Sequence, residues 1–255
     1  KGGVGKSNIS VNLAIRLASA GRDVVLLDAD LGLANADVLC NLDLGVNLSH
    51  VIARRRELRE ALVPAPGGFR LVGGASGLAK MADLTDADRE RLIEAMGELE
   101  RQADVILIDT GAGIGANVMA FARAADHVLI VTTPEPTSLT DAYAMVKVIS
   151  RDAAQRRLSL LVNQARSATQ ARVVYERVSS VARQFLGVHV YDAGYVVADE
   201  AVSEAVCRRT PFLLASPRCA ASDCVRQLAT RLRQGVVPQA ATGGFFSRMG
   251  RWLRR

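Results

Sequence analysis

The chain has 255 residues, 49% hydrophobic and 23% charged, a balance that excludes wholesale disorder and fits one large domain or two small ones. Aromatic residues make up only 4%, so the core must be built from Val, Leu, Ile and Ala, which suits a parallel sheet covered by helices and excludes an aromatic-rich β-sandwich. The net charge of +6 sits at one end: after Asp223 there are seven arginines and no acid, so the body of the chain is close to neutral and is not a surface that coats DNA.

The chain opens with KGGVGKS at residues 1–7. Phosphate binding needs glycines where backbone meets oxygen, a lysine for the β/γ-phosphates and a Ser or Thr hydroxyl for Mg²⁺, all at a helix N-terminus. Gly2, Gly3, Gly5, Lys6 and Ser7 supply the second half of that GxxxxGK[ST] pattern. A glycine-rich turn is the plainer alternative. Against it, two of only four lysines fall here, and a helical stretch (6–20), a glycine stop and a buried strand (23–30) follow in the order a phosphate loop requires. The strand ends in LLDADLG, which puts Asp28 and Asp30 on one side of the pleat; acids at a strand end also cap loops. Arg54, Arg55, Arg56 and Arg59 form a basic cluster that reads as a solvated helix face, with partner contact second.

Further strands are predicted at 68–74, 104–110, 126–134, 158–164 and 187–196, and helices at 87–102, 115–124, 137–151, 168–186, 200–208 and 219–234. The alternation defines an α/β fold, a doubly wound, mostly parallel sheet with helices on both faces, which places ligands at the carboxyl ends of its strands. VILIDTGAG (105–113) closes an apolar strand with Asp109, followed by Gly111 and Gly113. Asn163 ends the strand LSLLVNQ, where a lone Asn is usually a turn former. Asp28, Asp30 and Asp109 near one phosphate loop make a coherent site for Mg·ATP.

One domain is expected over 1–234. The stretch 235–244, GVVPQAATGG, reads as a flexible tether, and 245–255 as an amphipathic helix with Phe245, Phe246, Met249, Trp252 and Leu253 on one face and Arg248, Arg251, Arg254 and Arg255 elsewhere. Such a helix either docks on its own domain or lies in a membrane interface with its arginines on anionic lipid; the tether, the terminal position and the one-sided charge favour the membrane. No apolar run approaches the roughly 20 residues that span a bilayer. Cys40, Cys207, Cys219 and Cys224 form no CxxC pair, which points to a reducing, cytoplasmic setting, and Cys219 and Cys224, five apart, read as small buried hydrophobes before metal ligands. His50, His127 and His189 are scattered and carry no assigned chemistry.

With a lysine at its first position, KGGVGKS resembles the deviant Walker A motif of the MinD/ParA class of ATPases, and the similarity runs from Lys1 to about Cys224. LDADLGLANADVLCNLD, LIDTGAGIG, VTTPEPTSLTDAYAMVKVI and GYVVADEAVSEAVCRRTPF are similar to the flagellar-number regulators of that class (FlhG, also called FleN), mainly through PEPTSLTDAY. The resemblance implies a homodimer assembled by ATP with Mg²⁺, in which Lys1 crosses to the other subunit's phosphates. It assigns Gly2, Gly3, Val4, Gly5, Lys6, Ser7 and Asn8 to the phosphate cradle, with Lys6 catalytic, and Gly111 to the γ-phosphate. Asp30 would orient the attacking water; Ser7, Asp28 and Asp109 would hold Mg²⁺ and its water shell; Asn163 would read adenine, with Asp199 bordering the base.

Slow hydrolysis would reset the switch. The implied partners are the GTPase FlhF, a transcription activator such as FleQ and the switch-ring proteins of the rotor, and the implied location is the cytoplasm, with reversible residence on the inner membrane through Phe245–Arg255. Members of the class carry a hydrophobic central strand before the loop, which this sequence lacks. A fragment or mis-started frame is therefore expected, with unpaired backbone on that strand's neighbours. A MinD that places the septum, a ParA-like DNA-partitioning ATPase and an iron protein on the same fold remain as alternatives; PEPTSLTDAY, the near-neutral body and the unpaired cysteines respectively lean against them.

Overall fold

The computed structural model describes residues 2–30, 35–73, 85–152 and 157–235. Each apolar β-branched run forms a strand: β1 (Val24–Ala29), β2 (Val63–Pro64), β3 (Arg70–Val72), β4 (Val105–Thr110), β5 (His127–Thr132), β6 (Arg157–Ala165) and β7 (Val190–Val197). The helices are α1 (Lys6–Ala18), α2 (Ala36–Cys40), α3 (Leu48–Ile52), α4 (Leu58–Ala61), α5 (Asp86–Gln102), α6 (Ala116–Ala124), α7 (Pro136–Asp152), α8 (Ala168–Leu186), α9 (Glu200–Cys207), α10 (Phe212–Ala215) and α11 (Ala220–Gly235). The long elements match those expected to within a few residues. Four short helices and β2 were not anticipated, because four or five residues are too few to display a period.

One expectation is corrected here. Arg54, Arg55 and Arg56 do not lie on a helix: they form the turn after α3, with Arg54 in the left-handed region at φ 55°, and only Arg59 is helical, on α4. All four are exposed, and Arg56 and Arg59 pair locally with Glu60 and Glu57.

The strands form two sheets, ordered β2-β3-β1-β4 and β5-β6-β7, parallel throughout except for the β2–β3 pair. Side chains of β1 alternate between two cores, as the pleat dictates. Val24 and Leu26 pack with Ile9, Leu13 and Leu17 of α1 and with Val225 and Leu228 of α11, while Val25 and Leu27 pack with Leu48, Ile52, Met96 and Leu99 on the other face. This is double winding.

Between β4 and β5 lies a slot. Among the described residues each of these strands is paired on one side only, and a cavity of about 1050 Å³ separates them, lined by both strands and by α1, α6 and α7. Burial shows the same break: β1 is buried along its whole length, whereas most of β4 and β5 is only half-buried. Among the described residues no helix is long and apolar enough to cross a membrane. All four cysteines are free; of the two expected to be buried, Cys224 is buried and Cys219 is half-buried.

Candidate nucleotide site

The phosphate loop is held between the two sheets, touching the carboxyl ends of β4 on one side and β6 on the other. Gly5 is the residue before α1, at φ 87° and ψ 21°, a left-handed conformation that costs glycine little. Its carbonyl accepts from the Ile9 amide at 3.0 Å, but no side chain caps the helix. The first amides of α1 are left open, and with the helix dipole they form an anion site. Val4 is buried and seats the loop in the core.

Asp109, 2% exposed, stands at the end of β4. Its Oδ1 accepts from Ser10 Oγ at 3.1 Å, the Ser7 side chain is near enough to lower its pKa, and its buried Oδ2 has no partner. Burial pushes this carboxyl up to about 6; the neighbouring Asp28 charge adds to the rise, while the two hydroxyls and the Lys6 ammonium oppose it. Asp28 is directly across the β1–β4 ladder and 1% exposed. Its oxygens accept from the amides of Asp30, Asn35 and Ala36, each at 3.1 Å, so it also ties the end of β1 to the start of α2. Burial raises its pKa too, against those three bonds.

Two adjacent buried acids with an orphaned oxygen are an environment that a cation relieves. The donors are hard oxygens: Asp109, Asp28 and the Ser7 hydroxyl. Among the described residues no group of three or more His, Cys, Asp or Glu forms a ready metal cage. The set therefore suits an ion that keeps most of its water, as Mg²⁺ does.

Asp30 lies against the loop after β4: a Cβ placed on Gly111 would come within 3.0 Å of its Oδ1. Asn163, 7% exposed at the end of β6, donates from Nδ2 to the Val4 carbonyl at 2.8 Å. Asp199 follows β7 and caps two helices at once, Oδ1 accepting from Ala201 of α9 and Oδ2 from Ala221 of α11, both at 3.1 Å. The Ala221 amide above all holds its carboxyl below the usual range. Ala198 N bonds Ala165 O at 2.9 Å, so Asp199 stands beside the same strand end as Asn163. The structure thus brings Gly2, Gly3, Val4, Gly5, Lys6, Ser7, Asn8, Asp28, Asp30, Asp109, Gly111, Asn163 and Asp199 to one edge. Lys1 and the tail at 245–255 lie outside the described residues.

Sequence reasoning missed two residues. Ser10 is one helical turn beyond Ser7, and that spacing was the available signal. Asn12, fully buried in an apolar helix, donates to Asn8 O and accepts from the Leu213 amide, both at 2.8 Å, tying α1 to α10.

With this geometry, the comparison with known proteins is direct. The sequence profile of a family described as an AAA domain matches residues 1–161. The chain belongs to this family, and within it to the MinD/ParA class of P-loop ATPases. It is 43% identical to the Antiactivator FleN of Pseudomonas aeruginosa, over 95% of this chain and 87% of that protein. It is 34% identical to the Flagellum site-determining protein YlxH of Helicobacter pylori, over 99% of this chain and 88% of that one. The MinC:MinD cell division complex of Aquifex aeolicus superposes with a TM-score of 0.75 at 25% identity, covering 94% of this chain and 95% of that one.

Proposed function

We propose that this protein is a Mg·ATP-dependent switch ATPase that dimerises with ATP and regulates flagellar number or placement. The observation that carries the reading is the buried Asp28–Asp109 pair, with its orphaned Oδ2, beside the open N-terminus of α1. The flagellar assignment is supported by likeness to FleN and YlxH over nearly the whole chain.

Bound Mg·ATP supplies the phosphoryl group and a cation that absorbs developing negative charge. The amides at the start of α1 and the Lys6 ammonium hold the phosphates. Ser7 and Asp109 would hold the cation, and Asp28, which ties the Asp30 amide to those of Asn35 and Ala36, would help hold its water shell. Asp30 accepts a hydrogen bond from the attacking water and so orients it. Lys1 of a second copy adds positive charge at the phosphates, which makes hydrolysis depend on dimerisation. Asp199 borders the base beside Asn163. The segment Phe245–Arg255, doubled in the dimer, turns ATP state into residence on anionic lipid through effective concentration. FlhF, a FleQ-like activator and the switch-ring proteins are the proposed partners.

Sedimentation with anionic liposomes tests this. The full chain is expected to pellet with ATP and not ADP, and truncation after Gly244 to abolish pelleting. Lys6→Ala should lose nucleotide binding, and Asp30→Ala should bind ATP and stay dimeric without turnover. An Asp30→Ala chain that is monomeric with saturating ATP would refute the switch.

A further inference from the structure

Asn163 is placed with unusual care for a residue at a strand end. The β6–β7 register breaks between Val162 and Ala165, and Gln164 takes a left-handed φ of 56°, so the end of β6 bends at Asn163. The bend delivers its amide to a backbone carbonyl 159 residues away, at 2.8 Å and out of solvent. The opposite side is shaped to receive it: any Cβ on Gly5 would collide with Asn163 Nδ2. Gly5 is thus required twice, for its φ of 87° and for the room it leaves the amide.

We infer that Asn163 is a positioning residue that sets the phosphate loop, whichever nucleotide base is present. In a trans peptide the carbonyl of one residue and the N–H of the next point in opposite directions. Holding the Val4 carbonyl against β6 therefore turns the Gly5 N–H away from β6 and fixes the peptide from which α1 starts. Preorganised N–H donors stabilise phosphate charge without reorganising when it arrives. One N–H of the amide is used for this, and its second N–H and oxygen are left for a base edge. A single side chain then couples base recognition to phosphate geometry. The inference rests on the reading of residues 2–8 as a phosphate loop.

The test uses a ligand that has no base. Binding of ATP, GTP and inorganic tripolyphosphate, each with Mg²⁺, is measured for the full chain and for Asn163→Ala. Loss of a buried hydrogen bond is expected to weaken tripolyphosphate about five- to tenfold, alongside both nucleotides. Wild-type affinity for tripolyphosphate with a loss confined to ATP overturns the inference, because the amide then serves only the base. Asn163→Asp keeps the shape but donates to the Val4 carbonyl only when protonated. Its tripolyphosphate affinity, taken relative to wild type at each pH, is expected to recover as pH falls from 8 to 5, which general damage to the fold would not produce. A ratio independent of pH also overturns it. If the wild-type chain binds neither ATP nor tripolyphosphate, the phosphate-loop reading itself fails and the inference goes with it.

Discussion

Asp199 and His127 show how the same structure sets opposite acid responses in single residues. The two helix caps made by Asp199 lower its pKa, so its contribution is present above the ordinary carboxylate range near 3.9 and is lost as pH falls through the lower, folded value. Asp199→Ala is expected to cost about 1–2 kcal/mol at pH 7 in thermal or urea melts, with the two proteins converging in acid. His127 lies mostly out of solvent, its Nε2 2.8 Å from Ser159 Oγ and its Nδ1 without a protein partner; burial lowers its pKa, and Arg157 adds to the effect. The unfolded chain takes up that proton first, so stability is full above about pH 6.5 and declines below it. A His127→Gln protein should show a flatter stability profile between pH 7 and 5; an unaltered slope would remove His127 from the account. At this scale, what lies within one motif was legible. Lys6, Ser7, Asp28 and Asp109 are announced by their neighbours in sequence, whereas the Asn163–Val4 bond joins opposite ends of the chain and leaves no local pattern.

Among the elements, α1 and α11 do most to hold the site, because the phosphate loop is only as well fixed as the helix it begins. Leu228, 1% exposed on α11, packs in the core that backs α1 and β1. Leu228→Ala is expected to destabilise by about 2–5 kcal/mol through lost burial and a residual cavity. Phe185 on α8 is 67% exposed, and Phe185→Ala should stay within about 0.5 kcal/mol of wild type in the same melts. Comparable losses from the two would mean that α11 is not packed into this core. The long helices were readable because their apolar positions repeat. The short ones were not: α3 owes its start to Asn47, whose side chain accepts from the Ser49 amide, a local capping device without periodicity. The arginine turn at 54–56 was misread because charge density marks exposure and says nothing of backbone shape.

For the whole molecule, the break between β4 and β5 divides one expected sheet into two. The alternating strands and helices announced double winding, but pattern alone does not reveal which strands are neighbours; that depends on pairings made far apart in the chain. Among the described residues, backbone amides on the slot side of β4 and β5 have no ladder partner, so hydrogen exchange there is expected to outpace that in β1 and β6. Uniform protection across β1, β4, β5 and β6 would show that the slot is closed in solution. The double cap at Asp199 acts as a mechanical joint. One carboxylate fixes the starting points of α9 and α11 together, and α11 runs 16 residues from there, about 24 Å. Rotating that joint by a few degrees would swing the far end of α11 by an ångström or two. Gly235, the last described residue, therefore stands at the end of a lever whose pivot is beside the nucleotide edge.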